Sequence, residues 1–226
     1  MDEPIIIVAV IVFIGLIVFF GYFFSKKTII LRKLKKSAAR RIANVTDGEF
    51  AKITGKVEYT VTPITAPLSS RTCAYYHVLV EQRVSTGKSS HWKTIIEDEV
   101  AGSFGIRDGE YCARIDSNKV KSYIVDDMKY TSGFMNDASE VLEQYLKDHG
   151  QESENFMGMN KSIRYREGVL EEGELISVMG KCRWVSAESG EWSDSYGKVL
   201  IISPAENDAV YLSDDPETVK QLTVEN

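Results

Sequence analysis

An uncharged apolar run at residues 5–24 constrains this 226-residue chain most strongly. At ~1.5 Å rise per residue, a helix of this length covers ~30 Å, the thickness of the hydrocarbon core of a bilayer. A cleaved signal peptide would place basic residues before a shorter apolar run, whereas Asp2 and Glu3 come first here and Lys26 follows. The run predicts a transmembrane helix at residues 5–24, with residues 1–4 outside.

Eight basic residues and no acid follow between residues 25 and 41. This asymmetry predicts an external N-terminus and a cytoplasmic remainder. Apolar residues at helical spacing extend the predicted helix through residues 25–47. The basic run is either a topology signal or a set of contacts to anionic lipid headgroups. The candidate headgroup contacts are Lys26, Lys27, Arg32, Lys33, Lys35, Lys36, Arg40 and Arg41.

The rest of the chain is acidic, because leaving out residues 1–41 changes the net charge from -6 to -12. The acidic remainder has no basic stripe for a phosphate backbone, so we expect no nucleic-acid partner. Cys73, Cys112 and Cys182 lie far apart, and the three histidines add no paired ligand spacing. The sequence therefore predicts no zinc site and no cofactor, and three reduced, buried thiols.

Short runs rich in β-branched and aromatic residues dominate the acidic part, and turn residues separate them. A capping-box-like start at Asp137 and an apolar stripe predict a helix at residues 137–148, and Pro216 begins a second, short helix. The predicted fold class is a single-pass membrane protein with a β-rich α+β domain. The predicted strands are residues 51–60, 74–84, 92–97, 103–107, 111–115, 175–184, 198–202 and 209–212.

One segment recurs within the chain. Residues 48–59 (GEFAKITGKVEY) and 173–184 (GELISVMGKCRW) share four identical positions, and each has a glycine in the middle of an alternating strand pattern. Glycine there permits the bend of a small barrel. We therefore predict two related barrel-like halves, at about 48–130 and 163–223, with the helix between them. Chance similarity of two amphipathic strands is the alternative.

An ordered series of motifs resembles the GIDE-type domain, also called the beside-a-membrane domain. The series comprises Gly55-Lys56-Val57, TAPLSSRTCAYY at 65–76, FGIRDG at 104–109 and Tyr165-Arg166-Glu167, within residues 48–223. The family includes mitochondrial E3 ubiquitin ligases, in which this domain lies between two transmembrane helices and a RING follows. The present sequence has one predicted span and reaches Asn226 without a RING, so it looks like the prokaryotic members, and this resemblance implies a location in the plasma membrane.

The leading functional hypothesis is a non-catalytic, membrane-tethered interaction module at the cytoplasmic face. Its expected partners are the lipid bilayer and an unidentified membrane or cytoplasmic protein. The candidate contact loop contains Pro63, Pro67 and Arg71, because the prolines stiffen it and the guanidinium can make bidentate contacts. The same loop can instead serve only to close a barrel.

Two other hypotheses remain open at this point. The family resemblance implies ubiquitin transfer, and Ser69, Ser70 or His77 could serve an unrecognised hydrolase. The third hypothesis is a structural role in which the predicted span associates with itself. It receives little support, because Gly21 and Ser25 form the one small-xxx-small pair and lie at the edge of the span.

Overall fold

The computed structural model describes residues 10, 12–16, 21, 23–133, 137–155, 158–188 and 190–219. The helices with defined bounds are α1 (Lys26–Lys36), α2 (Glu140–Asp148) and α3 (Pro216–Val219). The strands are β1 (Ala39–Arg40), β2 (Phe50–Tyr59), β3 (Ile64–Thr65), β4 (Thr72–Cys73), β5 (Tyr75–Ser85), β6 (Ser90–Ala101), β7 (Phe104–Asp108), β8 (Tyr111–Ile115), β9 (Val120–Tyr123), β10 (Met128–Ser132), β11 (Ile163–Leu170), β12 (Leu175–Ser186), β13 (Lys198–Ser203) and β14 (Val210–Ser213).

Five strands close into a barrel in the order β2, β7, β8, β13 and β12, with β12 pairing back onto β2. The pairing of β8 with β13 is parallel, and the other four are antiparallel. Strand alternation turns one set of side chains inward, including the fully buried Ile53, Ile106, Val178 and Leu200. Strands β1, β14 and β9 extend the sheet beyond the barrel.

The two recurring segments form β2 and β12, and they pair with each other. Ile53 lies opposite Val178, its own counterpart in the repeat, so the pairing is locally two-fold. The structure therefore corrects the prediction of two barrel-like halves, because strands from both halves build one barrel. Their apolar faces share one core instead of filling two smaller ones.

A second sheet has the antiparallel order β10, β11, β5 and β6. Helix α2 covers one face, where Leu142 and Leu146 pack against Val78 and Val80. The Ser139 side chain, rather than Asp137, caps this helix by accepting a hydrogen bond from the Leu142 amide. The opposite face of the sheet is polar.

Helix α1 lies against the barrel, where its buried Ile30 and Leu34 pack on Met179 and Tyr211. The helix ends at Lys36, not at residue 47 as predicted. Beyond the C-cap residue Ser37 the chain becomes extended, and β1 pairs in parallel with β2. A short 3₁₀ turn then inserts Ile42 into the barrel core, which a continuous helix could not do.

The structure contradicts the predicted single-pass membrane protein and its membrane location. In the described part of the chain, no helix is both long and apolar enough to cross a bilayer. Helix α1, the longest with defined bounds, has 11 residues and is strongly basic, and ~16 Å of helix cannot cross ~30 Å of hydrocarbon. Residues 1–9, 11, 17–20 and 22, which include the predicted external segment and much of the predicted span, lie outside the described residues.

Candidate functional site

A groove of about 330 Å³ lies between the N-terminal end of α1 and the polar face of the four-stranded sheet. We call it the helix–sheet groove. Its residues come from α1, β5, β6, β9, β10, β11 and the segment between β9 and β10. Its lining residues are Lys26, Lys27, His77, Leu79, Glu97, Glu99, Ser122, Tyr123, Ile124, Asp126, Lys129 and Arg166.

Strand alternation and register bring the floor of the groove together. Val78 and Val80 point to the core under α2, so the intervening Leu79 and the preceding His77 face the groove. His77 pairs with Glu99 and Leu79 with Glu97 across β5 and β6. These side chains therefore sit on two adjacent, hydrogen-bonded strands.

One end of the groove combines an imidazole with two carboxylates. The His77 Nε2 atom lies 3.5 Å from the Glu97 carboxylate, and one ligand atom each from His77, Glu97 and Glu99 lie within 4.8 Å of one another. The Ser122 hydroxyl donates a hydrogen bond to Glu99, and the Lys26 ammonium also contacts that carboxylate. The His77 Nε2 atom is buried, and among the residues that the structure describes it has no hydrogen-bond partner.

The other end of the groove carries cations held by acids. Arg166 lies 3.5 Å from Asp126 and 3.4 Å from Glu81, and Lys129 lies 3.4 Å from Asp126. Hydrogen bonds from Arg164, opposed by burial, hold the pKa of the Glu81 carboxyl below its usual value. Charges of both signs are thus fixed on one rigid surface.

Most of the predicted headgroup contacts bind groups of the chain itself. Lys33 pairs with Asp208 at 2.5 Å, and Arg41 pairs with Asp108 at 2.7 Å. Lys26 contacts Glu99, Lys27 donates to the Tyr123 hydroxyl, Lys35 contacts Glu217, Arg40 pairs with Glu49, and Arg32 lies over the Phe23 ring. Lys36 is exposed. Direct contact of these eight residues with lipid headgroups stays a prediction.

The loop residues Pro63, Pro67 and Arg71 are not among those that line the groove. Arg71 donates two hydrogen bonds to Glu171, at 3.0 and 2.5 Å, and lies 3.5 Å from Asp127. Pro63 and Pro67 are half-buried. Next to Pro67, the amides of residues 68 and 69 donate to the buried Glu167 carboxylate. These contacts fasten the loop to β11 and the turn after it, and its role in partner contact stays a prediction.

The geometry gives little support to nucleophilic chemistry, either at the three cysteines or at the hydrolase candidates Ser69 and His77. Burial raises the pKa of Cys73, Cys112 and Cys182 to about 11, which keeps the thiols protonated at neutral pH. The Ser69 hydroxyl accepts a hydrogen bond from the Arg71 amide, and in the described part of the chain His77 Nε2 has no hydrogen-bonded hydroxyl or thiol that it could activate.

Sequence reasoning singled out His77 but missed Glu97 and Glu99. The only local signal is the run of three consecutive acids Glu97-Asp98-Glu99, and charge runs of this kind are also common on solvated surfaces. The register between β5 and β6 brings the three residues together, and residue spacing does not reveal that register. The resemblance to the GIDE-type domain stays a prediction, because the chain matches no family model, no curated protein and no solved structure with which it was compared.

Proposed function

We propose that this protein is a non-catalytic interaction module that binds a charged segment of a protein partner in the helix–sheet groove. One observation carries the proposal: the groove brings acidic side chains from β6 and the segment before β10 together with basic side chains from α1, β10 and β11. Three of these charged side chains remain accessible, since Lys129, Glu97 and Lys26 are 65%, 50% and 48% exposed.

Charge pairs of this kind favour a polar macromolecular ligand over an apolar small molecule. An apolar ligand would remove the ion pairs of Lys129 and Arg166 from water without forming any polar contact that offsets the cost of desolvation. A charged segment can form salt bridges with the same side chains, so these charges keep a partner of opposite sign. The positions of the charges also determine the orientation in which the segment binds. Helix α2 packs on the opposite face of the four-stranded sheet, and this packing supports the strands that carry the groove.

Ubiquitin transfer, which the family resemblance implies, has weaker support. A RING-type transferase, which is the kind that the resemblance implies, coordinates zinc with clustered, deprotonated cysteines and with histidines. The three cysteines are instead buried, with raised pKa values.

Site-specific photo-crosslinking in cells that express the whole chain tests the proposal. A benzoylphenylalanine in place of Lys129 probes the groove, and the same probe in place of Lys147 is the control, because Lys147 is 66% exposed on α2, across the sheet. We expect a protein adduct from position 129 only, lost when Glu97→Lys reverses a charge in the groove. Equal adducts from both positions, none from either, or an adduct that survives Glu97→Lys would contradict the proposal.

A further inference from the structure

We propose that His77, Glu97 and Glu99 bind a divalent transition-metal ion, with Zn²⁺ as the probe, at one end of the helix–sheet groove. The inference rests on the proposed function of the groove as a binding site, and it assigns a metal ion to one end of that groove.

The donor set and its geometry fit such an ion. One imidazole nitrogen and two carboxylate oxygens are common Zn²⁺ ligands, at about 2.0–2.2 Å from the metal. Tetrahedral ligands at that distance lie about 3.4 Å from one another. His77 Nε2 and Glu97 are 3.5 Å apart, and all three ligand atoms lie within 4.8 Å of one another, so small side-chain rotations complete the set.

The buried His77 Nε2 atom is the second, independent sign of a ligand. A buried polar atom without a hydrogen bond costs stability, because folding removes it from water and returns no partner. The atom borders the groove beside two carboxylates instead of facing a donor or acceptor in the core. A metal ion bound there would give the nitrogen a partner, and the imidazole would favour Zn²⁺ over Mg²⁺.

Lys26 occupies part of the same site. Its ammonium contacts Glu99, one of the proposed ligands, from the first turn of α1. A metal ion and this ammonium compete for one carboxylate, so metal binding releases Lys26 to water. The Lys26 side chain is already 48% exposed, which makes this exchange sterically simple.

Calorimetric titration of the purified whole chain tests the site. We expect one Zn²⁺ per chain, no measurable binding of Mg²⁺, and a loss of affinity of at least about tenfold in His77→Ala. His91→Ala is the matched control, because His91 lies on β6, is exposed and is outside the cluster. Absence of Zn²⁺ binding, or equal losses in both variants, would overturn the proposal.

A variant that is expected to raise the Zn²⁺ affinity separates metal ligation from a folding defect, because misfolding could only lower this affinity. Lys26→Met removes the competing ammonium, so we expect about twofold to fivefold tighter Zn²⁺ binding, the range of an exposed ion pair. Unchanged or weaker Zn²⁺ binding in this variant would overturn the proposed competition between Lys26 and the metal ion for Glu99. Crosslinking from position 129 with no Zn²⁺ binding refutes only the metal site, whereas Zn²⁺ binding without crosslinking refutes only the protein partner.

Discussion

Asp214, between β14 and α3, carries a strongly shifted carboxyl group. Burial raises its pKa to about 7, Glu174 and Asp127 add to the shift, and the hydrogen bond from the Val125 amide opposes it. The pKa of Asp214 is higher in the folded than in the unfolded chain, so protonation of this carboxyl favours the folded state. Its contribution to the free energy of unfolding is complete below pH ~3.8 and is lost as the pH rises through 7.

Asp214→Asn should therefore stabilise the protein, and increasingly so between pH 4 and pH 7. The amide oxygen can still accept from Val125, whereas the cost of the buried charge disappears. We expect the free energy of unfolding to rise by about 1–2 kcal/mol at pH 8. Urea unfolding across this pH range measures the difference, and Glu172→Gln, which removes an exposed charge, should show no such pH trend. A gain independent of pH would contradict the assignment to Asp214.

At the scale of elements, the recurring glycines of β2 and β12 allow the barrel to close. A Cβ atom at Gly55 would lie 2.8 Å from the Arg107 carbonyl oxygen, and one at Gly180 would lie 2.8 Å from that of Ser203. Each glycine therefore permits a neighbouring strand to approach where a side chain would collide with backbone.

Gly55→Ala and Gly180→Ala should each destabilise the barrel. The added methyl group meets backbone atoms that cannot rotate away, so we expect each to lower the free energy of unfolding by about 1–3 kcal/mol. Chemical denaturation measures this loss. Lys56→Ala, at the exposed position beside Gly55, is the matched control and should change stability little. Neutral glycine variants would show that the strands can separate without cost.

The sequence predicts single elements better than their pairing. Apolar strand patterns and turn residues located β2, β5, β8 and β12 closely, since each contains several buried apolar residues. Strands β9, β10 and β11 were missed, because short or charged strands carry little apolar periodicity. The groove was missed for a different reason: its residues meet through pairings between distant segments, and strand spacing does not encode which strands pair.

At the scale of the whole molecule, the two sheets are not separate bodies. Tyr75 at the start of β5 and Leu170 at the end of β11 are buried in the barrel core, although both strands belong to the four-stranded sheet. The Tyr75 and Ser122 hydroxyls, 2.6 Å apart, add a buried link between β5 and β9. The recurring segment led to the prediction of two halves, but the shared burial joins strands from both halves in one core.

Shared burial predicts that the barrel and the four-stranded sheet unfold together. Trp92 lies on β6 and Trp184 on β12, so each reports on one sheet when the other tryptophans are replaced by Phe. In each single-tryptophan variant, the urea midpoint from fluorescence should equal the midpoint from far-ultraviolet circular dichroism of the same variant. Comparison within one variant cancels any stability change that the replacements cause. Should the Trp92 signal change before the circular dichroism does, the four-stranded sheet would open independently, and the groove on its face would be a local, separable unit.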